Sequence, residues 1–158
     1  MAKNFEPCFG KQNDFIRYSP IVLNIEDNEN SLRIIYALTK VGEKGEGIAP
    51  ALPKKLKDAL SDSRPVYADN EDVFEIYFSD YLVYQVRNEI FAKRNDKDKE
   101  LGKWLTVFES SRYLDYNGIA SDSSMKHYGI WSEWQIIDVI SDSVPIVRKI
   151  SLKKENEK

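Results

Sequence analysis

Two aromatic and β-branched runs stand almost back to back in this chain: Val73-Phe74-Glu75-Ile76-Tyr77-Phe78 and Tyr81-Leu82-Val83-Tyr84-Gln85-Val86-Arg87. Side chains of this kind suit a pleated, half-buried surface and lose rotamer freedom in a helix, so the stretch commits the chain to a sheet. Only Ser79-Asp80 separates the runs, which predicts a hairpin. Ser-Asp is a weak pair for a primed turn, and one long bent strand is the alternative. Further strands are expected at 21–25, 32–39, 104–108, 128–134, 135–140 and 144–152. Pro145 has no ladder donor, so the last strand should lie at an edge or begin there.

One helix is clear. Leu52, Leu56, Ala59 and Leu60 fall at i, i+4, i+7 and i+8, and Pro53 suits a first helical turn. This predicts an amphipathic helix at about 53–61, ended ahead of Pro65. Residues 110–116 read as a helical turn closed by Asn117-Gly118, and the glycine-rich stretch 41–48 reads as a loop. The alternating charges of 92–103 read as a solvated loop. Because strands do not alternate with helices, the pattern argues against a doubly wound parallel sheet. The expected fold is α+β: a mostly antiparallel, curved sheet of about six to eight strands, with the helix over one face or an open end. The expected division is an irregular arm at 1–19, a single globular domain at 20–152 and a frayed polar tail at 153–158. Phe5, Phe9, Phe15 and Tyr18 are expected to tuck the arm onto the domain. A chain of 158 residues buries about 70% of its unfolded surface, enough to hold without disulfides or metal.

Composition narrows the function classes. Twenty-three Lys plus Arg face 26 Asp plus Glu, for a net charge of −3. Binding to a phosphate backbone draws on a concentrated positive surface, which this balance opposes. Cys8 is the one cysteine and His127 the one histidine, so a cysteine-based zinc site and a multi-histidine metal site are both excluded within one chain. No metal or cofactor is expected. No apolar run approaches the ~20 residues of a membrane helix, and a secretory leader is not evident at the start. The reading is a cytoplasmic protein of bacterial type.

Four clusters carry chemistry. His127 needs a carboxylate partner to act as a base, and Glu133 and Asp138 are the nearby acids. Composition permits a Ser–His–Asp triad, but no G-x-S-x-G elbow exists. In a strand, Gln85, Arg87 and Glu89 share one face, so Glu89 could orient the Arg87 fork toward a carboxylate or phosphate. Arg112 and Asp115 form an i, i+3 pair on a helix. Trp131 and Trp134 fall on opposite faces of a strand, one in the core and one an exposed anchor, and Tyr81 and Tyr84 extend that surface. Three functions follow. The first is a non-catalytic protein-binding module, of immunity or inhibitory type, presenting Tyr and Trp to a partner. The second is a small-molecule or anion site built on Arg87, Arg112 and Glu89 or His127, extending to an enzyme. The third is single-stranded nucleic-acid binding by stacking. A concave pocket holding Arg87 with Glu89 or His127 would favour the second, and a flat exposed patch at Trp131 or Trp134 the first.

Overall fold

In a computed structural model, which describes residues 6–152, the strand-forming runs sort into two sheets in place of the one curved sheet expected. There are nine strands among the described residues: β1 (Ile21–Asn28), β2 (Ser31–Val41), β3 (Val66–Phe78), β4 (Val83–Asn88), β5 (Lys99–Leu101), β6 (Leu105–Ser110), β7 (Lys126–Trp131), β8 (Gln135–Ser141) and β9 (Ile146–Ile150). Sheet 1 runs β1-β2-β3-β9 and sheet 2 runs β4-β8-β7-β6-β5, with antiparallel pairing throughout. Two short helices, α1 (Lys54–Leu60) and α2 (Arg112–Tyr116), and a 3₁₀ turn at Glu89–Phe91 complete the elements. No helix among the described residues is long and apolar enough to cross a membrane.

The Ser79-Asp80 hairpin does not form. β3 ends at Phe78 in sheet 1, and β4 begins in sheet 2, where Leu82 N–H already donates to the Ile140 carbonyl at 2.8 Å. The reason lies in burial. Leu32, Ile34, Tyr36, Ile76 and Phe78 on one sheet need an apolar partner, and Leu105, Tyr128, Ile130, Ile137 and Val139 on the other supply it. Two layers bury both inner faces at once, which a hairpin between β3 and β4 would not. Tyr36 spans the layers and donates from its hydroxyl to the Trp131 carbonyl at 3.1 Å. The second apolar row of β2, Ile35 and Ala37, packs with Val73 on the outer side of sheet 1.

Helix α1 forms where expected but covers nothing. None of its residues is buried, and Leu56 is 49% exposed. Seven residues in a long connection are too short a lever to reach back over a sheet, so the apolar stripe stays in solvent. β9 begins just after Pro145 and lies at a sheet edge, as a missing donor requires. The 92–103 stretch is not simply loop, since it contains β5.

Residues 6–19 hold no regular element but are tied down. Gly10 N–H donates to the Leu105 carbonyl and Lys103 N–H to the Lys11 carbonyl, both at 2.9 Å. The Asn13 amide donates to the Cys8 and Lys103 carbonyls at 2.9 Å. A Cβ at Gly102 (φ +97°) would lie 2.8 Å from Gly10 Cα, so only glycine admits this backbone approach. Phe9 packs edge-on against Tyr128 and Phe78, while Tyr18 stays exposed. Phe5 lies outside the described residues.

Candidate functional site

The outer face of sheet 2 carries the chemistry. Strand alternation sends Gln85 and Arg87 of β4, Asp138 of β8, His127, Gly129 and Trp131 of β7, Phe108 of β6 and Glu100 of β5 to one side. Asp138 is fully buried in an otherwise apolar run of β8. Its Oδ1 accepts from His127 Nε2 (2.8 Å) and Arg87 Nη2 (3.2 Å), and its Oδ2 from Arg87 Nε (2.6 Å) and Gln85 Nε2 (2.9 Å). Burial alone would raise the Asp138 pKa. The hydrogen bonds from His127, Arg87 and Gln85 outweigh it and hold the carboxyl below its usual range.

The relay continues beyond the imidazole. His127 Nδ1 lies 2.8 Å from Ser111 Oγ, and Ser111 Oγ accepts the Leu114 N–H as the N-cap of α2. In the tautomer that donates from Nε2 to Asp138, Nδ1 is free to accept from the serine hydroxyl. Phe108 stacks flat on the ring at 3.9 Å, and Tyr113 meets it edge-on at 5.2 Å. Serine, histidine and aspartate therefore stand in hydrolase order. A nucleophilic serine, however, must meet a carbonyl carbon. Ser111 is 2% exposed, is engaged as the cap of α2 and lines neither of the two clefts on this face, a placement that suits a structural support better than a nucleophile.

Over this support lie two adjoining clefts that share Arg87, Lys93, Asp98 and Phe108, of about 490 and 620 Å³. Both volumes fall in the range of small-molecule sites, roughly 300–1,000 Å³. The roof is the segment 89–98 together with α2. Arg112 pins them, donating from Nη2 and Nε to Asp98 Oδ2 (2.7 and 3.1 Å), from its backbone N–H to Asp98 Oδ1 (2.8 Å), and from Nη2 to the Lys93 carbonyl (3.2 Å). Burial would raise the Asp98 carboxyl, and these bonds together bring it below its usual value. Arg94 lies over the Trp131 ring at 5.7 Å. Five cationic side chains line the clefts against four carboxylates, in a protein whose net charge is negative.

Three buried side-chain polar atoms have no hydrogen-bond partner among the described residues: Glu100 Oε2, Tyr113 Oη and Trp131 Nε1. All three residues line these clefts. Tyr113 is pushed up to about 12 by burial first and then by the Asp138 charge, so its hydroxyl is a neutral donor. Arg87 Nη1 makes no hydrogen bond to the described residues, because Asp138 takes only Nε and Nη2. Buried polar atoms are nearly always paired, so three unpaired buried atoms on the lining of these clefts are a concentrated departure. No group of metal-ligating side chains occurs among the described residues.

Of the residues singled out in the sequence, Arg87, Arg112 and His127 come together here with Trp131, which is half-buried in the cleft. Arg87 pairs with Asp138, not Glu89: β4 stops at Asn88, which caps the 3₁₀ turn, and Glu89 turns out to solvent. Arg112 pairs with Asp98, not Asp115. Trp134 sits in the turn after β7, outside strand alternation, and is 60% exposed. Tyr81 and Tyr84 lie elsewhere, stacked edge-on, with the Tyr81 hydroxyl donating to Asp27 at 2.5 Å. A lone charge inside Ile136-Ile137-Asp138-Val139-Ile140 was a legible sign of a paired buried carboxylate. Glu100, hidden in a charge-rich stretch, carried no such sign. Compared with known proteins, this chain matches no family model, no curated protein and no solved structure.

Proposed function

We propose that the protein binds a small anionic molecule in the cleft on the outer face of sheet 2. One observation carries this reading: Arg87, with Nη1 left free by Asp138, lines both adjoining clefts, and the residues bearing the unpartnered Trp131 Nε1 and Tyr113 Oη line one cleft each. Asp138 acts as a positioning residue, holding two guanidinium nitrogens so that the third is left for a ligand. The test is NMR titration of ¹⁵N-labelled protein with inorganic phosphate, citrate and adenosine monophosphate. At least one probe should shift the Trp131 indole N–H while leaving that of Trp104 still. Titrations that leave the Trp131 signal unmoved would overturn the reading. Tyr113→Phe gives a second check. It removes a buried hydroxyl that lacks a partner, so stability should hold or rise while anion affinity falls.

A second reading is favoured by the apolar rim. Ile90, Phe91, Tyr116 and Trp134 are mostly exposed around the cleft mouth and the turn beside it, where Glu89 N–H donates to the Trp134 carbonyl at 3.1 Å. Exposed aromatics of this kind anchor protein partners, which keeps an inhibitory or immunity-type role open to this face. The double variant Phe91→Ser, Trp134→Ser tests it. Loss of a co-purifying protein with anion binding intact supports the partner reading; unchanged recovery of that protein counts against it.

A further inference from the structure

The cleft offers a ligand both signs of charge. Glu100 projects from β5, an edge strand of sheet 2, with a side chain only 21% exposed. Its Oε2 has no hydrogen-bond partner among the described residues, and Arg94 Nη2 stands 3.8 Å from its Oε1, beyond hydrogen-bond reach. A carboxylate oxygen shut away from water without a donor is costly, and a cation is the partner that meets it. On the same cavity stand Arg87, with Nη1 unused, and the indole N–H of Trp131, with Phe108 as an apolar wall.

We propose that the cleft takes a dipolar small molecule of the amino-acid class, its carboxylate on Arg87 and its ammonium on Glu100. This rests on the anion-binding reading of the same cleft. A plain anion placed there would leave Glu100 repelling it, and a plain cation would leave Arg87 unused. A zwitterion meets both and adds no net charge to a lining that is already close to balance. Arg87 and Trp131 then set where the carboxylate lies, and the separation of the two poles selects the length of the molecule.

Calorimetric titration of the whole protein tests this. The probes are unbranched amino acids from glycine to 6-aminohexanoate together with L-lysine and L-arginine, each beside its N-acetyl and its amide derivative. At least one free amino acid should bind, and both derivatives should bind about tenfold more weakly or worse, since each loses one charge-assisted contact. Glu100→Gln, whose folding is checked by circular dichroism, should weaken the free amino acid by a similar factor and tighten the N-acetyl form, which no longer meets a like charge. Equal binding of free and N-acetyl forms would overturn the dipolar inference while the anion site stands. Equal binding of free and amide forms would overturn both. If phosphate or citrate moves the Trp131 signal but no free amino acid binds, only the present inference fails.

Discussion

Each sheet buries one carboxylate on its outer face, and the two are treated differently. Glu75 of sheet 1 is 3% exposed and accepts from Arg33 Nε at 2.7 Å and Arg148 Nε at 2.8 Å, while Arg33 also pairs with Glu26 at 3.0 Å. Burial would raise Glu75, and the two arginines outweigh it and bring it below its usual value. Among the described residues no segment closes over this ladder as one does over Asp138, and Arg148 is two-thirds exposed where Arg87 is a third. Asp138 has a similar set of donors, but one of them is the buried His127, and α2 with the 89–98 segment covers the group. The same pairing chemistry is a surface ladder in one sheet and the floor of a cleft in the other. A roof, not the ion pair, makes the difference.

The largest effect should come from cutting each network in turn. Asp138→Asn leaves Arg87 and His127 facing an amide and should cost about 3–5 kcal/mol. Glu75→Gln should cost only about 1–2 kcal/mol, because its arginines turn to water. Urea unfolding of the two variants measures both, and equal losses would break the comparison. Next in size is Gly129→Ala on the cleft floor. The added Cβ would lie 2.5 Å from Thr106 Oγ1 and 3.0 Å from a Phe108 ring carbon. It should cost about 1–3 kcal/mol and displace the Phe108 ring from His127, read from the His127 proton shifts.

Acid should then separate the sheets more finely. Asp138 and Glu75 both have folded pKa values below their usual 3.8 and 4.5. A depressed carboxyl contributes stability that is whole above the unfolded pKa and disappears as pH falls through the folded one. Stability should therefore be level from neutrality to about pH 5 and fall progressively below pH ~4. Asp138→Asn should make that fall shallower, as followed by urea midpoints across the range. An acid limb unchanged in the variant would remove Asp138 from the account. The smallest effect belongs to Leu56→Ala on α1, which lies on neither sheet. It should change stability by less than about 0.5 kcal/mol, and a larger loss would show that α1 has a packing partner.

Strand positions were legible because alternation and β-branching act locally. The 128–134, 135–140 and 144–152 runs lie within a few residues of β7, β8 and β9. The split into two sheets was not legible. It depends on which apolar faces meet across the core, and Phe78 reads the same in a hairpin as in a crossover. At the site, Gln85 and Arg87 on one face were readable from period two. Their partner Asp138 arrives from a different strand, and the expected Glu89 falls out of register because Asn88 starts a turn. The α1 stripe misled for a related reason: periodicity shows that a helix has an apolar side, not that anything packs there.

The order of the strands has a consequence for how the chain acquires its shape. All five strands of sheet 2 lie in sequence between β3 and its neighbour β9. Sheet 1 thus keeps β3 as an open edge until the whole of the other sheet has passed. Pairings this distant in sequence put folding in the slow range of all-β domains, on the order of milliseconds to seconds. An unpaired strand bearing Phe74, Ile76 and Phe78 is a template for association during that interval. β9 is therefore the clasp: its docking onto β3 ends the interval in which this protein is most exposed to aggregation, and substitutions in Ile146–Ile150 should be felt in refolding yield before they are felt in binding.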